Sequence, residues 1–344
     1  MKRILFYIMA ILALGFTMAE AKPKVAILAT GGTIAGSTDS KLATTGYTAG
    51  VVGVDVLIQA VPELKNLADI TGEQIANVDS SNMTNEIWLK LAKRCNDLLG
   101  KVDGIVITHG TDTMEETAFF LNLVVKSDKP VVLVGAMRPA TAISADGPKN
   151  LYNAVALAAN PSAKGKGVMV AMNDKILGAR DVQKTHTLNV NAFDFGNLGY
   201  IVDGKVFFNS ANLKAHTKKT DFDISKLKSL PKVDILYTYS NDGSSVAAKA
   251  LFENGTKGLV IAGSGAGSIH TAQKEVLKDL LKKGLKVAVS SRVKSGFVAV
   301  GDDDKKLGFI SAQDLNPQKA RVLLMLALTK TNDSKKIAEY FLKY

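Results

Sequence analysis

The residues best suited to chemistry lie where two apolar runs break off into hydroxyl and carboxylate side chains. The first is Thr30-Gly31-Gly32-Thr33-Ile34-Ala35-Gly36, directly after the strand-like Val25–Ala29. Two adjacent glycines let the backbone turn sharply and present its N–H groups, with the Thr33 hydroxyl at the bend. A dinucleotide fingerprint would need a glycine at the position Thr33 holds, and no phosphate-binding lysine follows. The arrangement suits instead a hydroxyl nucleophile attacking an acyl carbon, with the turn stabilising the oxyanion. The second is Thr111-Asp112-Thr113, after the β-branched run Ile105–Ile107. Read alone it is a helix start: Thr113 with Glu116, or Asp112 with Glu115, has capping-box spacing, and Ala118, Phe119, Leu121, Leu123 and Val124 follow in a helical pattern. Both turns put polar groups at a strand end, where open α/β sheets place their ligands.

Other polar groups could join them. Ser37–Gly50 is a Ser-, Thr- and Gly-rich loop able to close over a ligand, and it carries Tyr47, whose phenol could reach Thr33. A third polar turn, Asp79-Ser80-Ser81-Asn82-Met83, follows the strand-like Gln74–Val78 and precedes an amphipathic helix over Thr84–Leu99. The four histidines, His109, His186, His216 and His270, are scattered, so a zinc hydrolase finds no ligand set. No Gly-x-Ser-x-Gly elbow occurs, and Gly263–Ser268 has Ser268 where a dinucleotide motif needs its last glycine. No metal and no cofactor is expected.

The elements that must position these groups read as α/β. At 344 residues the chain is long for one domain, and 47% hydrophobic with 22% charged content is ordinary for a folded α/β protein. Positively charged Lys2 and Arg3, an apolar Ile4–Met18 and the small residues of Ala19-Glu20-Ala21 read as a signal peptide over residues 1–21 rather than a membrane span. The mature chain is then expected in the periplasm. Residues 22–210 read as a larger N-terminal α/β sheet domain and 211–231, polar and Lys-rich, as a connection. Residues 232–344, with strands at Val233–Tyr237, Gly258–Ala262 and Leu285–Val289, read as a smaller C-terminal α/β domain. Val168–Met172 reads as a further strand and Tyr200–Phe208 as a hairpin about Asp203-Gly204. The net charge of +11 is spread through Lys-rich stretches read as helices, Lys214–Lys228 and Lys274–Lys286, with no aromatic-interleaved patch, so nucleic acid is not an expected partner. Cys95, the single cysteine, excludes an internal disulfide and falls at a buried position of its helix.

The blocks Ala29–Gly36 and Ile107–Glu116 together resemble the two signatures of the bacterial L-asparaginase and glutaminase-asparaginase family. The resemblance continues through Lys129–Pro139, Ser144–Pro148 and Leu315–Arg321, and with the leader it is to the exported, type II branch. It implies hydrolysis of the L-asparagine side-chain amide to L-aspartate and ammonia. By this resemblance Thr33 is the nucleophile, Tyr47 its loop partner, and Thr111, Asp112 and Lys184 a second constellation. Lys184 and Thr111 would activate the hydroxyl or the water, Asp112 would hold the substrate α-amino group, and Ser80 its α-carboxylate. Ser81, by the same resemblance a second substrate-binding candidate, and Asn82 stand where the family often has a glutamine or glutamate followed by an acid, and Ala266 and Ser268 where it has asparagines. Asp302 is the candidate substitute for a glutamate contributed by a neighbouring subunit, and Ser268 is a second candidate contribution from that neighbour. The resemblance further implies a homotetramer with sites between subunits and no cofactor.

From the residues alone a second class stays open, a periplasmic amino-acid-binding protein without catalysis, which shares two α/β lobes and an export signal. The pair of threonine turns together with Lys184 is what binding alone would not need.

Overall fold

A computed structural model describes residues 21–42, 45–46 and 48–344. The expected leader falls almost wholly outside the described residues, as does Tyr47.

The first sheet is built from β1 (Lys24–Gly31), β2 (Asp69–Val78), β3 (Gly104–Thr108), β4 (Val131–Val134), β5 (Val168–Met172), β6 (Lys175–Gly178), β9 (Asn197–Val202) and β10 (Lys205–Phe208). Their order is β10-β9-β6-β5-β4-β3-β1-β2, with the five strands from β5 to β2 parallel and the other three antiparallel. Two short strands, β7 (Gln183–Lys184) and β8 (Phe193–Asp194), pair only with each other. In the central strands the pleat sorts the side chains. Ala26, Leu28, Ile105, Ile107, Val131 and Leu133 enter one apolar cluster, and Val25, Ile27, Val106, Val132 and Val134 the other. The helices Asn85–Leu98 and Met114–Val124 cover the first face; Val54–Gln59 and Gly147–Ala158 cover the second. Burial on both faces is why these strands read as unbroken apolar runs.

The second sheet, β11 (Val233–Tyr237), β12 (Gly258–Gly263), β13 (Lys286–Ser291) and β14 (Phe309–Ser311), is wholly parallel. One face packs on Ser245–Glu253 and Thr271–Lys282. The other, under Pro317–Leu328 and Ser334–Lys343, merges with the first sheet's apolar cluster, so one core runs between the lobes.

The expected strands are present, some longer than read: β2 begins at Asp69 rather than Gln74, as a half-exposed strand at the sheet edge. The hairpin forms about Asp203 and Gly204, both at positive φ. Lys214–Lys228 is not a helix. Its only regular piece is the 3-10 turn Thr217–Lys219, which has Thr217 at φ 48. Phe222 and Ile224, two residues apart, are both buried, which is extended-chain spacing. Thr220 fastens this strap to the helix Met114–Val124 by bonding Leu123 O. Cys95 is buried as expected, and burial pushes its thiol up to about 12.

Candidate active site

In the sheet β1 lies between β2 and β3, so the three polar turns that follow these strands emerge side by side at one edge. Glycines bring them into backbone contact. Gly31 and Gly32 have φ of 107° and 82°, where a side chain is strained. A Cβ on Gly31 would stand 2.4 Å from Val78 O, and one on Gly32 2.3 Å from Gly110 N. Gly110 in turn lies against Ser80, whose Oγ is 2.7 Å from where its Cβ would be. The first turn meets the other two backbone to backbone, the Ser80 side chain packs directly on Gly110, and Gly32 N–H closes the set by donating to Val78 O at 3.1 Å.

Thr33 opens the 3-10 turn Thr33–Ala35 and is 5% exposed. The loop expected to close over it is pinned at its neck, where Ser37 and Thr48 exchange backbone bonds of 3.1 and 3.0 Å. Further along, Lys41 O accepts from Ile143 N at 3.0 Å, so the loop leans on the Pro139–Ile143 segment.

Thr111, Asp112 and Lys184 come together although 72 residues separate the last two. The Lys184 ammonium donates to Thr111 Oγ1 at 2.8 Å and to Asp112 Oδ1 at 2.6 Å. Thr111 is buried, the Lys184 side chain nearly so, and the Asp112 carboxylate is mostly open to solvent. A cation held on a buried hydroxyl lowers the cost of taking its proton, and a carboxylate with one oxygen engaged keeps acceptor sites for an incoming ammonium. Beside them an open polar cavity of about 430 Å³ is lined by Asp112, Glu115, Glu116, Lys184, His186 and Lys294 among others.

The capping boxes do not form. Thr113 is the N-cap residue of Met114–Val124 but makes no side-chain cap bond; its hydroxyl donates to Ser80 O at 2.7 Å, tying the second turn to the third. Glu115 accepts from Lys184 N at 2.7 Å and from Asn316 Nδ2 at 2.8 Å. Glu116 faces Arg321 at 3.6 Å, and burial raises its carboxyl above the ordinary range against that cation's pull. Long-range partners outcompete the local cap.

His109 is fully buried and takes part in no metal cluster among the described residues. Its Nδ1–H donates to Gly110 O at 2.7 Å, because a carbonyl can only accept; Nε2 then accepts from Thr117 Oγ1 at 2.8 Å. Trp88 Nε1–H donates to the same hydroxyl at 2.8 Å. Burial lowers His109 to about 4, so it is neutral and structural, a brace on the Gly110 turn.

Of the remaining expected residues, Ser80 is buried at the junction of the turns, whereas Ser81 is turned back on its own turn, with both its N–H and its hydroxyl on Asp79 Oδ1 at 3.0 Å. Ser268 and Asp302 stay in the second lobe. Ser268 pairs with Ser264, and the Asp302 carboxylate is exposed and paired with Lys305 at 3.0 Å.

Residues 24–214 match the family described as "Asparaginase, N-terminal", and residues 232–341 match "Glutaminase/Asparaginase C-terminal domain". The chain belongs to the asparaginase family. The L-asparaginase 2 of Bacillus subtilis is 55% identical over 94% of this chain and 87% of its own, and that of Escherichia coli 51% identical over 98% of both. A probable periplasmic L-asparaginase of Haemophilus influenzae is 52% identical over 95% of both chains. The crystal structure of a probable cytoplasmic L-asparaginase from Campylobacter jejuni superposes with a TM-score of 0.93 at 75% identity, over 94% of this chain and all of that one. Sequence reasoning found neither the two long-range partners of Glu115 nor the Trp88–Thr117–His109 chain. An acid in the first turn of a helix carries no sign of a partner 201 residues away.

Proposed function

We propose that this protein hydrolyses the side-chain amide of L-asparagine to L-aspartate and ammonia through an acyl-enzyme on Thr33. The observation that carries the reading is the Lys184 ammonium held on the buried Thr111 hydroxyl and the Asp112 carboxylate, at a turn whose backbone touches the Thr33 turn. Thr33 Oγ bonds to the amide carbon as its proton passes to the leaving nitrogen, and the C–N bond breaks to release ammonia. Water then attacks the ester, its proton returns to Thr33 Oγ, and aspartate leaves. Lys184 and Thr111 ease the deprotonation, and Tyr47 works beside Thr33. Asp112 holds the substrate ammonium and Ser80 its α-carboxylate, the two opposite charges an amino acid presents. Ser81, engaged with Asp79, contributes little, so glutamine is a weak substrate.

The protein acts as an exported periplasmic homotetramer in which Ser268 and Asp302 of each chain serve a neighbour's site. Three features support this: the signal-like leader, the periplasmic designation of the 52%-identical H. influenzae relative, and the exposed position of Asp302 in its own chain. The C. jejuni relative, named a probable cytoplasmic enzyme, points the other way. Fractionation of a tagged full-length chain decides between the two.

Ammonia release from asparagine by the mature protein, set against Thr33→Ala, tests the reaction. Turnover by the parent and its loss in the variant are expected. Tight binding with no turnover in either protein would establish the amino-acid-binding reading instead.

A further inference from the structure

Lys184 stands on β7, a strand of two residues with no support from either large sheet. Its ammonium nevertheless has to meet Thr111 at hydrogen-bond distance, and a misplacement of about 1 Å there is costly. What holds its backbone is Glu115. This carboxylate is 7% exposed and has both oxygens engaged: Oε2 accepts the Lys184 N–H at 2.7 Å and Oε1 accepts Asn316 Nδ2 at 2.8 Å. Asn316 is itself fixed, as the N-cap of Pro317–Leu328, by accepting from Lys319 N at 2.9 Å. Lys319 is buried and its Nζ donates to Val182 O, two residues before Lys184. Burial draws the Lys319 amine down to about 8, and the Glu115 carboxylate is foremost among the charges opposing that fall. The first turn of one helix, the strand bearing the cation and a helix N-terminus of the second lobe thus converge on one carboxylate.

We propose that Glu115 is a positioning residue: it sets the Lys184 ammonium against Thr111 and couples that setting to the second lobe through Asn316. The inference rests on the amidohydrolase reading of this same site. A glutamine at this position can accept through one atom only, and its amide N–H groups would face the other donor.

The test is steady-state ammonia release from asparagine by the full mature protein, with the melting temperature of each variant recorded. For Glu115→Gln we expect kcat to fall about 10- to 100-fold while KM stays within about threefold. In a Lys184→Arg background the same substitution is expected to cost less than about a further threefold, because the two residues act as one unit. Asn316→Ser keeps a capping hydroxyl but is too short to reach Glu115, and it is expected to lower kcat by a smaller factor in the same pattern. Should Glu115→Gln fail to fold, folded Asn316→Ser carries the test. A kcat within twofold of the parent in the folded variant, or an equal loss in both backgrounds, overturns the proposal. Unaltered ammonia release by Thr33→Ala would overturn the underlying reaction instead, so the two failures are distinguishable.

Discussion

Gly32→Ala is the sharpest perturbation the architecture offers, because it changes no reacting side chain and yet wedges the two threonine turns apart. A Cβ on Gly32 would stand 2.3 Å from Gly110 N, where ordinary contact begins at 3.4 Å, so the turns must part by about 1.1 Å. A side chain at φ 82° costs roughly 1–2 kcal/mol and the overpacking about 1–3 kcal/mol more, a loss of about 2–5 kcal/mol in all. Separation of the two halves of the site by about 1 Å is worth roughly a hundredfold in rate. Urea unfolding reads the first effect and steady-state ammonia release the second. Gly165→Ala isolates the strain: φ is 75° there and nothing lies within 4 Å of the added Cβ, so about 1 kcal/mol of stability is lost and kcat is unchanged. A Gly32→Ala protein with kcat within threefold of the parent would refute the claim that glycine contact sets the site.

Two further outcomes follow from buried titratable groups. Burial lowers His109 from 6.5 to about 4, so between those values the unfolded chain binds a proton that the folded chain refuses; the associated stability is whole above pH 6.5 and drains away as pH falls towards 4. The loss amounts to about 3 kcal/mol at most, and urea unfolding at about pH 7.5 and about pH 5 should show it reduced in His109→Gln; an equal drop in both proteins would contradict this. The Cys95 thiol, fully buried and raised to about 12, should react with an aromatic disulfide reagent only as fast as the protein unfolds, and rapid labelling of the native protein would be at odds with its place in the core.

What could be read from the chain and what could not divide along physical lines. The parallel strands were legible because burial on both faces leaves no polar residue in Ile105–Ile107 or Val168–Met172. The antiparallel strand β6 was missed: it is four residues long and joined to β5 by Asn173 and Asp174, both at positive φ, a two-residue turn without glycine. Lys214–Lys228 was misread because lysine content suggests a helix, while the burial of Phe222 and Ile224 depends on a neighbouring helix that no local pattern reveals. The Thr33 and Thr111 turns announced themselves by glycines beside hydroxyls. Lys184 was found only through resemblance, since a lysine in a short polar stretch reads as solvated until its fold partner is known. The Thr113–Glu116 and Asp112–Glu115 boxes failed for a related reason: Ser80, Lys184, Asn316 and Arg321 claim those side chains, and none of them is near in sequence.

In the proposed reaction Thr33 carries the acyl group. Rapid acid quenching during turnover of asparagine, followed by proteolysis and mass spectrometry, tests it most directly. An aspartyl group, joined through its side-chain carbonyl, is expected on the hydroxyl of Thr33 and absent from Thr33→Ala. An aspartyl adduct on Thr111 with Thr33 unmodified would contradict it.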